Sequence, residues 1–204
     1  MMLYLAPGGM VQGRAGLGVA HVTLHMALRD VFTHLSQQRI LDSARLADAV
    51  TRAFLSPAQL ATAPPRLGVA ALNPHAGEQG LFGDEEQKII QPAVEQGRKE
   101  GLNLSPPLPC DTLMVRAATG DFDAVVAMYH DQGHIALKLL GMHRAVNITL
   151  GIPIIRTSVA HGTAFDLAWQ GRAETSSMVE AIRVAAKLVG VRERLNWKPA
   201  GIKS

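Results

Sequence analysis

The chain has 204 residues, of which 48% are hydrophobic and 18% charged, with a mean hydropathy of +0.12 and a formal net charge of +3. That length and apolar content can bury the core of one domain or one and a half, and they exclude wholesale disorder. No lysine–arginine stripe runs through the chain and aromatics are only 4%, so no nucleic-acid partner is expected. No apolar run nears the roughly 18 residues that a membrane span needs. The apolar N-terminus has no basic region before it, so it does not read as a signal peptide. The single cysteine, Cys110, excludes an intramolecular disulfide and suits a reducing compartment. A cytoplasmic protein with no membrane partner is expected.

In chain order, Leu17 to Thr23 is an apolar run of strand length. Leu28 to Leu60 is amphipathic and helical, with a break expected near Arg39 to Asp42 and a cap from Asp42 or Ser43. Pro64 and Pro65 end it. Leu67 to Leu72 is a second buried-strand candidate, followed by a glycine-rich loop from Asn73 to Gly83. Asp84 is placed to cap a helix over Glu85 to Glu100. Ser105 to Pro109, with three prolines, reads as a rigid connector. Asp123 to Tyr129, Ala145 to Leu150 and Ile154 to Val159 are further strand candidates, and Thr175 to Val189 closes as an amphipathic helix. The basic residues Arg183, Lys187, Arg192, Arg194, Lys198 and Lys203 face only Glu193 and read as a solvated helix end. Strands separated by helices predict an α/β fold with a largely parallel sheet.

The chain contains no G-x-G-x-x-G, Walker loop, H-E-x-x-H or G-x-S-x-G. Its chemistry-bearing residues instead stand at strand ends. His25, His75 and His130 each follow a candidate strand, where α/β proteins place their sites. Spacing leaves two readings open. The three imidazoles converge on one divalent cation with open positions for substrate, or each is a separate hydrogen-bonded loop histidine. His130 and His134, at i and i+4, could also offer two ligands from one helix face. Lys138, Asn147 and Arg156 form a second set able to hold a carboxylate or phosphate. Asn147 sits in mid-strand between apolar neighbours, where a buried amide needs a partner. His161, Gly162, Thr163 and Ala164 form a strand-to-helix turn whose N–H groups could meet an anionic or nucleotide ligand.

Five blocks, LHMALRDV (24–31), LNPHAGE (72–78), MYHDQGH (128–134), VNITLGIPIIRTSV (146–159) and HGTAFDLA (161–168), together resemble the 4-hydroxythreonine-4-phosphate dehydrogenase family of pyridoxal phosphate biosynthesis. The resemblance covers about Leu17 to Leu188. It implies an α/β fold like that of isocitrate and isopropylmalate dehydrogenases, with parallel or mixed sheets and flanking helices, incomplete at the N-terminus. Residues 1–122 would belong to a middle dimerisation and metal-binding domain, and 123–204 to the C-terminal part of a cofactor and substrate domain. It also implies a homodimer, a phosphorylated hydroxy-acid substrate, NAD or NADP, and a divalent metal such as Zn, Mg, Mn or Co. The family's metal ligands match His25, His75 and His130. Its substrate-holding residues match Lys138, Asn147 and Arg156, and its nucleotide turn matches His161 to Ala164. Asp111 and Asp131 match positions near the reacting centre, and Asp111, Asp131 or Lys138 could handle the proton. The implied reaction is oxidation of 4-phosphooxy-L-threonine at C3, then decarboxylation to 3-amino-2-oxopropyl phosphate.

The sequence departs from the family pattern at Ala160, where an aspartate is usual, at Trp169, where glycine is usual, and at Cys110. Roughly the first two-fifths of a family chain has no counterpart, and Met1 to Leu3 match an internal strand. Two alternative functions follow. GLFGDEE (80–86) and HDQGHIALKLLG (130–141) lean toward a paralogue acting on 4-phosphoerythronate or 4-phosphothreonate. The shortened chain also fits a non-catalytic metal-binding remnant.

Overall fold

A computed structural model describes residues 1–192. They form one seven-stranded mixed sheet with helices on both faces. The strands are β1 (Met2–Leu5), β2 (Leu17–His21), β3 (Leu67–Ala70), β4 (Leu104–Leu108), β5 (Ala124–Ala127), β6 (Val146–Thr149) and β7 (Arg156–Val159), in the order β4-β3-β5-β2-β1-β6-β7. The helices are α1 (Leu28–His34), α2 (Gln37–Phe54), α3 (Pro57–Thr62), α4 (Gln91–Lys99), α5 (Cys110–Ala118), α6 (His130–Gly141) and α7 (Ser176–Arg192). The four strands β4, β3, β5 and β2 are parallel, as expected. β1 is antiparallel to both β2 and β6, and β7 to β6, so the sheet is mixed instead of largely parallel. The expected division between residues 122 and 123 falls just before β5, which lies between β3 and β2 in this sheet.

The central strands β2, β3 and β5 are buried on both faces, which is why they read as continuous apolar runs. One face packs Val69, Val126 and Ile148 against Ile40, Val50 and Phe54 of α2, Val94 of α4 and Leu188 of α7. The other packs Leu3, Val19 and Val125 against Leu113 of α5 and Leu137 of α6.

Several local expectations give way. The break in the long helical stretch falls at Leu35–Ser36, not at 39–42, because Ser36 caps α2 by accepting from the Arg39 N–H. Ser56 and Gln59 form a capping box that starts α3. The helix expected over 85–100 begins as a π-turn, Glu86–Ile90, before α4. Pro92 has no N–H to give, and the Gln91 N–H reaches back five residues to the Glu86 carbonyl. The Ser105–Pro109 connector is in fact β4. It lies at the sheet edge, where prolines cost no ladder bond. Lys187 is exposed, as expected, but its ammonium also donates to the Phe54 carbonyl and lies 5.2 Å from that ring's centre. Arg183 pairs with Glu180, and Arg194, Lys198 and Lys203 lie outside the described residues.

One carboxylate ties the edge at which the parallel strands begin. Asp123, its side chain fully buried, accepts from Nε and Nη2 of Arg14 at 3.0 and 2.8 Å. It also accepts from the backbone N–H, Nε and Nη2 of Arg66 at 2.8, 3.3 and 3.1 Å. Arg14 goes on to the carbonyls of Ala63 and Pro64 after α3, and Arg66 to Gly120. Burial alone would push the Asp123 pKa up. The hydrogen bonds from Arg14 and Arg66 outweigh it and hold the group below its usual value. Asp123→Asn should therefore lower unfolding stability by about 3 kcal/mol, the low end for a broken buried pair because both arginines can still reach water. Urea unfolding at pH 7 measures this, and a loss below about 1 kcal/mol would contradict the assigned role.

Candidate functional site at the carboxyl edge of the sheet

Because β2, β3, β4, β5 and β6 run the same way, the segments leaving their C-terminal ends emerge along one edge. These segments carry His25, His75, Cys110 with Asp111, and His130 with Asp131. Arg156, at the start of β7, stands opposite Thr149 at the end of β6 and so joins the same edge. Ligands of open α/β sheets bind at this edge.

The β2–β5 pairing continues past the strands. The Thr23 N–H donates to the Met128 carbonyl at 3.1 Å, and the Thr23 hydroxyl donates to the same carbonyl at 2.7 Å. Two residues beyond each partner come His25 and His130, whose ring centres are 5.6 Å apart. Two imidazoles sharing one tetrahedral ion, each nitrogen about 2.1 Å from it, would have centres roughly 5 Å apart, so this pair fits a shared cation. His130 Nδ1 lies 2.6 Å from Asp131 Oδ1, which orients the ring and leaves Nε2 for an ion. His75 borders a neighbouring recess with Asp111 and Cys110, and Tyr129 borders both recesses. Among the described residues no three His, Cys, Asp or Glu side chains are gathered as a metal site. Strand pairing brings His25 and His130 together and leaves His75 apart.

His130 and His134 do not chelate from one helix face. Their rings stack at 3.7 Å with planes 10° apart, so their nitrogens do not converge. His134 Nδ1 instead lies 3.1 Å from Nε2 of His21, a buried histidine of β2 that reads in the sequence as part of an apolar run. Gly133 permits this approach, since a Cβ there would stand 2.4 Å from His21 Nε2. His21 Nδ1 is buried without a hydrogen-bond partner. Gln132 is a second residue that pattern reading misses. Its side chain accepts from the Met128 N–H at 2.7 Å and donates to the Ala71 carbonyl at 2.6 Å, joining the ends of β5 and β3. Glutamine before glycine carries no local signal of that bridge.

The turn that carries His75 is left-handed. His75, Ala76, Gly77, Glu78 and Gln79 have φ of 53°, 54°, 75°, 42° and 59°, and each non-glycine residue there costs on the order of 1–2 kcal/mol. Glu86, buried, lies beneath this turn. Its Oε1 accepts from the N–H groups of Leu72 and Asn73 at 2.7 Å each, and its Oε2 accepts from Asn73 Nδ2 at 2.9 Å.

Asn147 and Arg156 share a sheet face. Asn147 pairs with Ser158 and Thr149 with Arg156, while Val146 and Ile148 take the α2–α7 face. Asn147 therefore faces the side on which α6 carries Lys138. Its Oδ1 is buried without a partner. Arg156 Nη1 donates to Thr149 Oγ1 at 2.8 Å. Asp111 is exposed and accepts from the Thr112 N–H. His161 to Ala164 follow the other end of β7, at the opposite edge of the sheet from the histidines. His161, Gly162 and Ala164 border an apolar recess with Met142 and Leu167. His161 Nδ1 is 2.8 Å from the Gly162 carbonyl, and Ala164 is left-handed. Trp169 is fully exposed at φ 62°, a backbone setting that favours glycine.

The model for the pyridoxal phosphate biosynthetic protein PdxA matches residues 3–185. The chain belongs to the PdxA family. It is 49% identical over 172 residues to the D-threonate 4-phosphate dehydrogenase of Salmonella typhimurium, covering 84% of this chain and 51% of the relative. It is 49% identical over 176 residues to the 4-hydroxythreonine-4-phosphate dehydrogenase of Geobacter metallireducens, covering 86% and 50%. The crystal structure of 4-hydroxythreonine-4-phosphate dehydrogenase from Klebsiella pneumoniae superposes with a TM-score of 0.74 at 45% identity, over 91% of this chain and 53% of that one. The chain thus spans about half the length of the curated relatives it matches. Its mixed sheet with flanking helices is part of the isocitrate/isopropylmalate dehydrogenase-like fold of this family. Among the described residues no helix is long and apolar enough to cross a membrane.

The buried histidines set an acid limit on stability. Burial, reinforced by His134, pushes the His21 pKa down to about 3, and burial, reinforced by His130, pushes that of His134 to about 4. Below the ordinary value of about 6.5 the unfolded chain takes up protons that the folded chain refuses. Stability is therefore complete above pH 6.5 and falls as pH drops toward 4. With a chelator present, the urea midpoint should fall more from pH 7 to pH 5 in the natural chain than in His21→Leu. Equal falls would refute the assignment.

Proposed function

We propose that this chain is part of an NAD- or NADP-dependent, divalent-metal-dependent dehydrogenase that oxidises 4-phosphooxy-L-threonine at C3. The observation that carries the reading is the His25–His130 pair, 5.6 Å between ring centres with Asp131 on His130, at the edge shared with Asp111 and Arg156 in a member of the PdxA family. His25 and His130, joined by His75, would hold the cation. Once bound, a divalent ion supplies Lewis acidity to a substrate hydroxyl, and the nicotinamide accepts hydride.

This chain's residues then bind and move protons. Arg156 offers a two-pronged donor to the phosphate or carboxylate, with Lys138 as a point charge. Asn147, whose Oδ1 is buried and unpartnered, offers a hydrogen bond to a substrate hydroxyl or amine. Asp111, Asp131 or Lys138 takes the proton released from the C3 hydroxyl. His161 to Ala164 are the proposed nucleotide contacts, and the adjoining apolar recess supports that assignment. They are separated from Arg156, at the histidine edge, by the length of β7, four residues or roughly 13 Å of strand. A homodimer is proposed too, supported by the exposed apolar residues Val115, Ile135 and Leu139 on α5 and α6.

A second reading, oxidation of D-threonate 4-phosphate, is favoured by the name of the Salmonella typhimurium relative. The two substrates differ at C2, amine against hydroxyl. The discriminating assay follows NADH or NADPH formation with each compound and added Zn, Mg, Mn or Co. A higher kcat/KM for the amine supports the first reading, and a higher value for the hydroxyl supports the second. Replacing His25 or His130 by alanine should lower zinc affinity and cut turnover at least about a hundredfold, as expected for losing several kcal/mol of charge stabilisation. A chain that binds zinc but turns over neither compound would favour the non-catalytic metal-binding remnant.

In sedimentation at micromolar concentration the chain should run as a dimer. A monomer would remove the dimer proposal.

A further inference from the structure

His75 is the proposed ligand that strand pairing does not align, and its backbone is in a conformation that L-residues avoid. We propose that Glu86 is the positioning residue for His75, its buried carboxylate holding the left-handed turn that presents this imidazole to the site edge. The metal half of this inference rests on the functional reading above. The structural half does not.

Glu86 engages the turn at its entry and beneath its apex. At the entry, the β3–β4 ladder ends with the Ala71 N–H on the Leu108 carbonyl, and the next two amides, Leu72 and Asn73, both converge on Oε1 of Glu86. Successive N–H groups aimed at one oxygen form a concavity suited to an anion, and the bonds are strengthened by its charge. Asn73 Nδ2 adds a bond to Oε2 and is shared with Glu85 Oε2 at 2.6 Å.

Beneath the apex, Oε2 occupies the space that a side chain at position 77 would need. A Cβ on Gly77 would stand 2.7 Å from that oxygen and 2.9 Å from the Gly83 carbonyl. The turn closes above it with the Phe82 N–H on the Gly77 carbonyl. Consecutive left-handed residues persist only where their surroundings over-determine them, and here those surroundings include, besides the Phe82 and Leu81 N–H groups on the Gly77 and Glu78 carbonyls, one carboxylate held at the turn's entry by three N–H donors. Its effect on the site passes through His75, which lies two residues beyond the clamped Asn73. A purely structural carboxylate would instead change global stability alone.

The experiment uses the 204-residue chain with Glu86→Gln, Glu86→Asp, His75→Ala and the Glu86→Gln/His75→Ala double variant. Glutamine keeps the size but loses the charge and an acceptor. Aspartate keeps the charge but is one methylene too short to serve both amides and Gly77. The readouts are zinc affinity by competition with a chromophoric chelator and, in metal-free protein, the His75 ring resonances by NMR.

Glu86→Gln should weaken zinc binding about 10–100-fold, the range for residues that orient a ligand. It should shift or broaden the metal-free His75 resonances more than those of His25 and His130, and change zinc affinity no further once His75 is alanine. If Glu86→Gln does not fold, Glu86→Asp carries both readouts. A His75 resonance unmoved in the folded variants overturns the proposal, as does an equal zinc loss with and without the His75 imidazole. If the natural chain binds no zinc, the metal reading falls, and the metal-free spectra alone decide whether Glu86 positions His75.

Discussion

Everything at the carboxyl edge depends on how the parallel strands are held at their beginnings, and there one carboxylate does the holding. Asp123 opens β5 and accepts from Arg66, which opens β3, and from Arg14, which precedes β2. A buried carboxylate is tolerable only when its lone pairs are filled by donors, preferably charged ones. Satisfying Asp123 therefore fixes β2, β3 and β5 relative to each other before any side chain at the far edge is placed. Each strand is only four or five residues long, so alignment at one end is carried to the other with little slack. Thr23 and Gln132 complete the alignment at the far end by bonding across to the neighbouring strands.

The site is built with unequal rigidity. His25 and His130 inherit their spacing from a continued β2–β5 ladder, and His130 is further held by Asp131 on one side and the stacked His134 ring on the other. His75 depends on a strained turn and a single buried glutamate. Strain of this kind is found where function demands a particular presentation. It gives the third histidine a different mechanical support from the other two. The buried His21–His134 pair adds a neutral, acid-sensitive element behind His130.

Sequence by itself determined the fold class, the apolar cores of β2, β3 and β5, the final helix and the identity of the candidate site residues. Those features are local. Continuous apolar runs of strand length, histidines just past them and five long motif blocks need no knowledge of what lies nearby in space. Tertiary structure decided what depends on pairing between distant segments. It set β1 antiparallel between β2 and β6, made a proline-rich stretch into an edge strand, and put the helix break at Ser36 where a hydroxyl could cap. It brought His25 to His130 while leaving His75 on its own turn, stacked His134 instead of letting it chelate, and buried His21 where the sequence shows only one polar residue in an apolar run. Glu86 and Gln132 were invisible for the same reason. Their work is to satisfy backbone groups 13 or 14 and 61 residues away in the chain, and no periodicity or spacing encodes which amide a folded chain will leave unpaired.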